Sequence, residues 1–377
     1  MKATLTRAVG RLRALGNMHR HDGGPLDRAA ATVRRPLDRA YLRRIGRLGD
    51  LARLASTAPA PPAGSGARRV LILSLRAWPN HGAYEVVLGH ALRLRGAEVA
   101  LLTCGGGQPV CEVGWARRAF PRPCDRCGHF TDRLAEASGL RAFRLADELP
   151  WGRSGRAAPR SHEDIPGTSL DHGHLSAISA AWSAKSDAVG ELPDGPQLLA
   201  DYRVSSAAVE RAVGNVIERF RPDVVVMVNG LFAAERTVHA LAQRAGIRVV
   251  TYELCPREHA LRFAQDEPAP RIDLGPIWSA LRDRPLTPRQ RAAITALLRD
   301  REQGVGMHER YFATVEDEAG RIRAQLGLAP GKRVITLFTN LTWETSLAGI
   351  DIGFDSMLSW VEHAVRLAGE VDDAELV

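Results

Sequence analysis

From residue 68 onward, short continuous apolar runs alternate with stretches whose apolar positions return at helical spacing. The runs lie at residues 70–75, 99–103, 223–228 and 248–252, each rich in Val, Ile or Leu. Strands buried on both faces read as such unbroken runs, and the alternation with amphipathic helices predicts a parallel sheet covered by helices. Between the last two runs the spacing predicts a helix over residues 232–244, closed by Gly246, so that residues 223–252 form one βαβ unit. Residues 151–194, rich in Gly, Ser, His and Pro, show little periodicity and read as a long loop near the site.

The two ends of the chain carry different patterns. Residues 1–57 place Leu5, Val9 and Leu12, then Leu26, Ala30, Val33, Leu37, Tyr41, Ile45 and Leu48, at helical spacing, with Pro36 as a kink. They read as a basic amphipathic extension, either a loosely ordered arm or a helix lying on an anionic membrane surface. Residues 58–67 (APAPPAGSGA) form a Pro/Gly/Ser linker, and residues 68–325 an N-terminal Rossmann-like domain. After the turn at Pro330 and Gly331 a strand at 334–338, a helix near 354–367 and a strand stub at 374–377 begin a second Rossmann-like domain, residues 331–377. One strand, one helix and a stub cannot bury a doubly wound core, so this second domain reads as incomplete.

Charge changes the picture only at the N-terminus. The net charge of +8 is concentrated in residues 1–60, which hold 13 Lys and Arg against Asp22, Asp27, Asp38 and Asp50; the rest holds 38 against 39. A neutral body without aromatic-plus-basic strand motifs argues against a nucleic-acid partner. No run reaches the roughly 18 apolar residues of a spanning helix, and no secretory signal opens the chain, so a cytoplasmic protein is expected, peripheral at most at the inner face of the cytoplasmic membrane.

Several segments together resemble the bacterial capsule polysaccharide biosynthesis glycosyltransferases. They are RVLILSLRAWPNHGAYE (69–85), PDVVVMVNGLFAAER (222–236) with VVTYE (249–253), and LFTNLTWE (337–344) with GFDSMLSW (353–360). The resemblance implies a GT-B-like α/β fold with two Rossmann-like domains, the first holding a glycan or lipid-linked acceptor and the second a nucleotide-sugar donor. It implies sugar transfer with no obligatory metal or other cofactor. The sequence breaks off before the His-Pro strand end expected in the second domain. A non-catalytic glycan-binding or assembly subunit and a sugar-nucleotide epimerase of similar layout are the alternatives.

Such transfer requires a general base at the acceptor hydroxyl and positive or dipolar groups at the leaving phosphate. His81, in the loop after the first strand, and Glu85, one helical turn on, form the best base-and-orienter pair; otherwise Asn80 caps the helix and both are solvated residues of its first turns. Asn229, Gly230 and Glu235 follow the third run, and Glu253 ends the fourth. These positions describe the rim of a cleft, although Asn-Gly is also a plain turn signal. The resemblance places Thr339, Asn340, Trp343 and Glu344 on the donor side. Cys104, Cys111, Cys124 and Cys127 fall within 24 residues, the last two as Cys-x2-Cys. Their readings are a structural zinc site, free thiols, or an iron–sulfur cluster. Cys255 stands apart and reads as a small buried hydrophobe.

Overall fold

The computed structural model describes residues 40–41, 44, 47–58, 66–113, 124–152, 158–255, 257, 260–305, 318–350 and 353–377. Most of the basic extension and the linker lie outside them; the helix α1 (Leu48–Thr57) is described, with Leu48 and Leu51 buried.

The fold is mixed α/β, built on a six-stranded, mostly parallel sheet. β1 (Arg69–Leu73), β2 (Glu98–Thr103), β3 (Arg141–Arg144), β4 (Val224–Val228), β5 (Arg248–Leu254) and β6 (Leu261–Gln265) stand in the order β3-β2-β1-β4-β5-β6. β1, β2 and β3 pair in parallel, as do β4 and β5, while β6 returns antiparallel on β5. The four predicted runs are four of these strands. In β1, Val70, Leu71, Ile72 and Leu73 are all buried, as unbroken apolar runs require when helices cover both faces. β3 and β6 escape prediction because they are short edge strands with Arg and Gln among their few apolar positions.

Arg69, which opens β1, and Asp223 make a reciprocal contact within the first unit. The Arg69 N–H donates to Asp223 Oδ2 at 2.7 Å, and the Asp223 N–H donates to the Arg69 carbonyl at 2.8 Å.

The helices between the strands are α2 (Pro79–Leu94), α3 (Cys124–Ser138), α4 (His172–Ala184), α5 (Gly195–Phe220) and α6 (Ala233–Arg244). α1 packs on α3, and α4 on α6. The stretch read as a long loop, residues 151–194, contains α4. Asp171 caps its start by accepting the His174 N–H at 3.0 Å, and Lys185 closes it in the left-handed conformation. Its buried face holds His172, Ser176 and Ser179 beside Leu175 and Ile178, so half of the inward positions are polar and the apolar period is hidden. These polar groups are joined internally: His172 Nδ1 meets Ser206 Oγ at 3.0 Å, Ser206 Oγ meets Thr237 Oγ1 at 2.7 Å, and Ser179 Oγ accepts the Ala233 N–H at 2.7 Å. Buried hydroxyls satisfied in this way cost little.

The rest of the chain carries α7 (Gly275–Leu281), α8 (Pro288–Glu302), α9 (Ala319–Gln325), β7 (Arg333–Ile335), α10 (Met357–Ala368) and β8 (Ala374–Leu376). β7 and β8 pair in parallel as a separate two-stranded sheet, with α10 between them in sequence. Little of this is covered: Phe354, Leu358, Val365 and Leu367 are each at least 40% exposed.

The chain divides into two compact units, one from Met1–Thr168 and Ala207–Asp223, the other from Ser169–Ser206 and Val224–Val377. Among the described residues no helix is long and apolar enough to cross a membrane.

Candidate functional site

In the first unit the loop after β1 is anchored from within. Arg76 and Glu112 form a buried ion pair, with Nη2 and Nε donating to the same carboxylate oxygen at 2.7 and 3.0 Å, and the guanidinium lies 4.9 Å from the Trp78 ring centroid. α2 then begins with Pro79 at its first turn, where the missing N–H is unneeded. The helix N-cap is Trp78, so Asn80 lies inside the helix, exposed, and does not cap it. His81 is half-buried with its ring 5.4 Å from that of Trp78, and Glu85 is buried, one turn along the same face.

The same unit gathers the four clustered cysteines. Cys104 follows β2, Cys111 lies in the loop beyond, and Cys124 and Cys127 open α3; all four line one cavity with Leu75, Arg76 and Gln108. Cys127 Sγ accepts the Ala77 N–H at 3.2 Å, and the Gln108 amide points at Cys104 Sγ from 3.7 Å. Burial pushes the Cys127 thiol up to about 12; burial, then the negative charge of Glu112, raises that of Cys111 well above the usual range. Among the described residues no group of three or more Cys, His, Asp or Glu stands in the arrangement of a formed metal site.

The second unit holds a cluster of charged groups at the carboxyl ends of β4 and β5. Asn229 and Gly230 leave β4 with φ of 32° and 81°. A Cβ on Gly230 would lie 2.9 Å from Thr251 Cγ2, so this turn needs glycine for both its backbone and its space. Asn229 Oδ1 accepts the Leu231 N–H at 2.8 Å, and its own N–H donates to the Tyr252 carbonyl at 2.7 Å. The Asn229 side chain also hydrogen-bonds Glu253. Burial raises the Glu253 carboxyl above the ordinary carboxylate range, and the nearby Glu344 adds to this, against opposing pulls from the Leu254 N–H, Arg262 and Asn229.

What brings Glu344 there is Arg271. Its Nε donates to the Ser346 carbonyl at 3.1 Å, and its Nη2 to those of Thr345 and Ala348 at 2.8 and 2.6 Å. This clasp holds residues 345–348 beside the strand ends, with Thr345 buried and Trp343 half-buried. Glu344 Oε1 in turn accepts from the Ser346 N–H at 3.3 Å. A second cation, Arg236, donates to His174 Nε2 at 2.7 Å. Among the described residues neither Arg236 nor Arg271 has a carboxylate within ion-pair distance. Burial lowers the pKa of both, and for Arg236 the charge of Arg271 contributes as well.

Of the expected positions, Asn229, Gly230, Glu253 and Glu344 are therefore brought together. Glu235 is buried in the first turn of α6, while Thr339 and Asn340 are exposed, Asn340 accepting the Leu341 N–H on its own side chain at 2.7 Å. His81 and Glu85 belong to the first unit. Arg236, Arg271 and His174 were missed. Arg236 closes one of the segments that carry the resemblance, whereas Arg271 sits in a Pro-rich stretch without any pattern to mark it.

Comparison with protein-family models gives no match, and comparison with curated proteins gives none.

Proposed function

We propose that this chain is a glycosyltransferase of GT-B-like organisation, moving a sugar from a nucleotide-sugar donor to a surface polysaccharide or a lipid-linked precursor. The observation that carries the reading is the gathering of Asn229, Glu253 and Glu344 at the carboxyl ends of β4 and β5, where Arg271 clasps the carbonyls of Thr345, Ser346 and Ala348 and Arg236 bonds His174. Ligands of open α/β sheets sit outside the carboxyl ends of the strands.

In this reading Glu253 takes the proton of the acceptor hydroxyl as its oxygen forms a bond to the anomeric carbon. The bond from that carbon to the phosphate oxygen breaks, and the nucleoside diphosphate leaves with the electron pair. Arg236 and Arg271 meet the charge that develops on it, as preorganised donors do most effectively in a partly dehydrated site. Asn229 orients the carboxylate. Burial raises the affinity of Glu253 for a proton, the direction a carboxylate base requires. The basic extension is assigned to the membrane surface where a lipid-linked acceptor is found.

Transfer of labelled sugar from a panel of nucleotide sugars to membrane lipid and glycan extracts tests the reading. Glu253→Gln is expected to reduce turnover by roughly 10²–10⁴, the usual contribution of a general base. Arg236→Ala is expected to raise KM for the donor. Turnover of Glu253→Gln within a few-fold of the parent would remove Glu253 from the chemistry, and no transfer from any donor would sink the proposal.

A further inference from the structure

Four of the five cysteines of this chain stand on three separate pieces of backbone, the end of β2, the loop beyond it and the first turns of α3, and line the wall of one cavity. The meeting of four cysteines from separate segments on one wall is the arrangement that a shared thiolate ligand set requires. Two of the sulfurs are also targets of hydrogen-bond donors, the Ala77 N–H on Cys127 at 3.2 Å and the Gln108 amide on Cys104 at 3.7 Å. Donors aimed at sulfur favour the thiolate over the thiol and are the usual outer support of metal-bound cysteine. The Arg76 guanidinium lines the same wall, fixed by Glu112.

We infer that this cavity binds a thiophilic metal centre through the thiolates of Cys104, Cys111, Cys124 and Cys127. Four thiolates are the ligand set of structural zinc and of iron–sulfur clusters alike, and harder cations are excluded by the softness of sulfur. The four side chains do not stand as a formed metal site in this structure. On binding, each cysteine releases its proton to solvent and donates a sulfur lone pair to the metal, and bonds of about 2.3 Å to a zinc ion would pull the loop of Cys111 and the start of α3 inward. For an iron–sulfur cluster the iron and inorganic sulfide are delivered together and the same four protons are lost. The centre would tie the loop after β2 to the start of α3, a structural role that is independent of the glycosyltransferase reading.

The test uses the full chain, expressed with zinc and iron in the medium and purified without oxygen or chelator. Metal content, acid-labile sulfide and the visible spectrum are measured together. About one zinc per chain with no sulfide and no colour identifies zinc; iron with matching sulfide and broad visible absorption identifies a cluster; either supports the inference. Cys111→Ser and Cys127→Ser are each expected to lose the metal, and Cys255→Ser to keep it. Because a serine variant can misfold, the unchanged chain is also stripped by chelator and its unfolding midpoint followed, with a fall on stripping and recovery on return of the metal expected. Metal that survives Cys127→Ser, or an unchanged chain that carries none and whose midpoint ignores added zinc, would overturn the inference.

Discussion

Two βαβ segments of this chain follow the same local rules and reach different states. In β4–α6–β5 four of the five residues of β4 and three of the seven of β5 are buried, Val225, Met227 and Val249 fully, and six residues of α6 are buried. In β7–α10–β8 the strands have three residues each, all of β7 is exposed, and none of α10 is buried, although α10 has a strong apolar stripe and a capping box at Ser356 and Ser359. Capping, periodicity and a turn are thus enough to form a strand, a helix and a parallel pair. They do not bury them. Burial needs further layers, and in the first segment these come from β1 on one side, β6 on the other and α4 packed on α6.

The comparison breaks most directly at the core. Met227→Ala is expected to cost about 2–5 kcal/mol, the range for a long buried side chain truncated in a packed interior, whereas Leu358→Ala on α10 stays within about 0.5 kcal/mol. Chemical denaturation of both variants measures the contrast, and equal losses would mean that α10 is covered in solution. Next in size is Gly230→Ala, which forces a left-handed residue and a Cβ against Thr251. A loss of about 1–2 kcal/mol is expected, together with a shifted Asn229 and weaker donor binding, read by the same denaturation and by the transfer assay.

A subtler effect is a pH dependence set by Glu253 in the first segment. The Glu253 carboxyl is raised in the folded state, so the folded chain holds its proton where the unfolded chain has lost it. Its contribution to stability is full below the ordinary carboxylate range and declines as pH rises through the raised value. Relative to the parent, Glu253→Gln flattens this decline in midpoints measured between acid and neutral pH, and an unchanged slope would place the carboxyl in water. The smallest effect is expected in the second segment. Arg333 and Asp373 pair across β7 and β8 with both side chains about 70% exposed. Arg333→Ala leaves the unfolding midpoint unmoved at moderate salt, since water and ions screen such pairs.

Legibility in the sequence followed the chemistry of burial. β1, β2, β4 and β5 were readable because both faces are covered by apolar layers, which forces unbroken runs of Val, Ile and Leu. α4 was hidden because its inward face is built from Ser176, which donates to the His172 carbonyl one turn back, and from His172 and Ser179, whose partners Ser206 and Ala233 lie far along the chain. A periodicity scan sees polarity and not the bonds that neutralise it. The site was legible in pieces: Asn229, Glu253 and Glu344 each stood after an apolar run. Their assembly depends on Arg271, whose three bonds to the carbonyls of Thr345, Ser346 and Ala348 leave no mark on local composition. The cysteines announced themselves by density, and the cavity they share needed the fold of β2 against α3.

The reciprocal contact between Arg69 and Asp223 has a consequence for how the molecule is made. Every other pairing in the large sheet joins strands consecutive along the chain, but this one closes across 154 residues. Closing so long a loop has an entropy cost that grows only slowly with length, yet it is met before the contact returns anything. Contacts that close shorter loops, such as those within β1–β2 and within β4–β5, are expected to form before it. Until such a contact closes, an apolar strand edge left unpaired is a site of aggregation and of capture by chaperones.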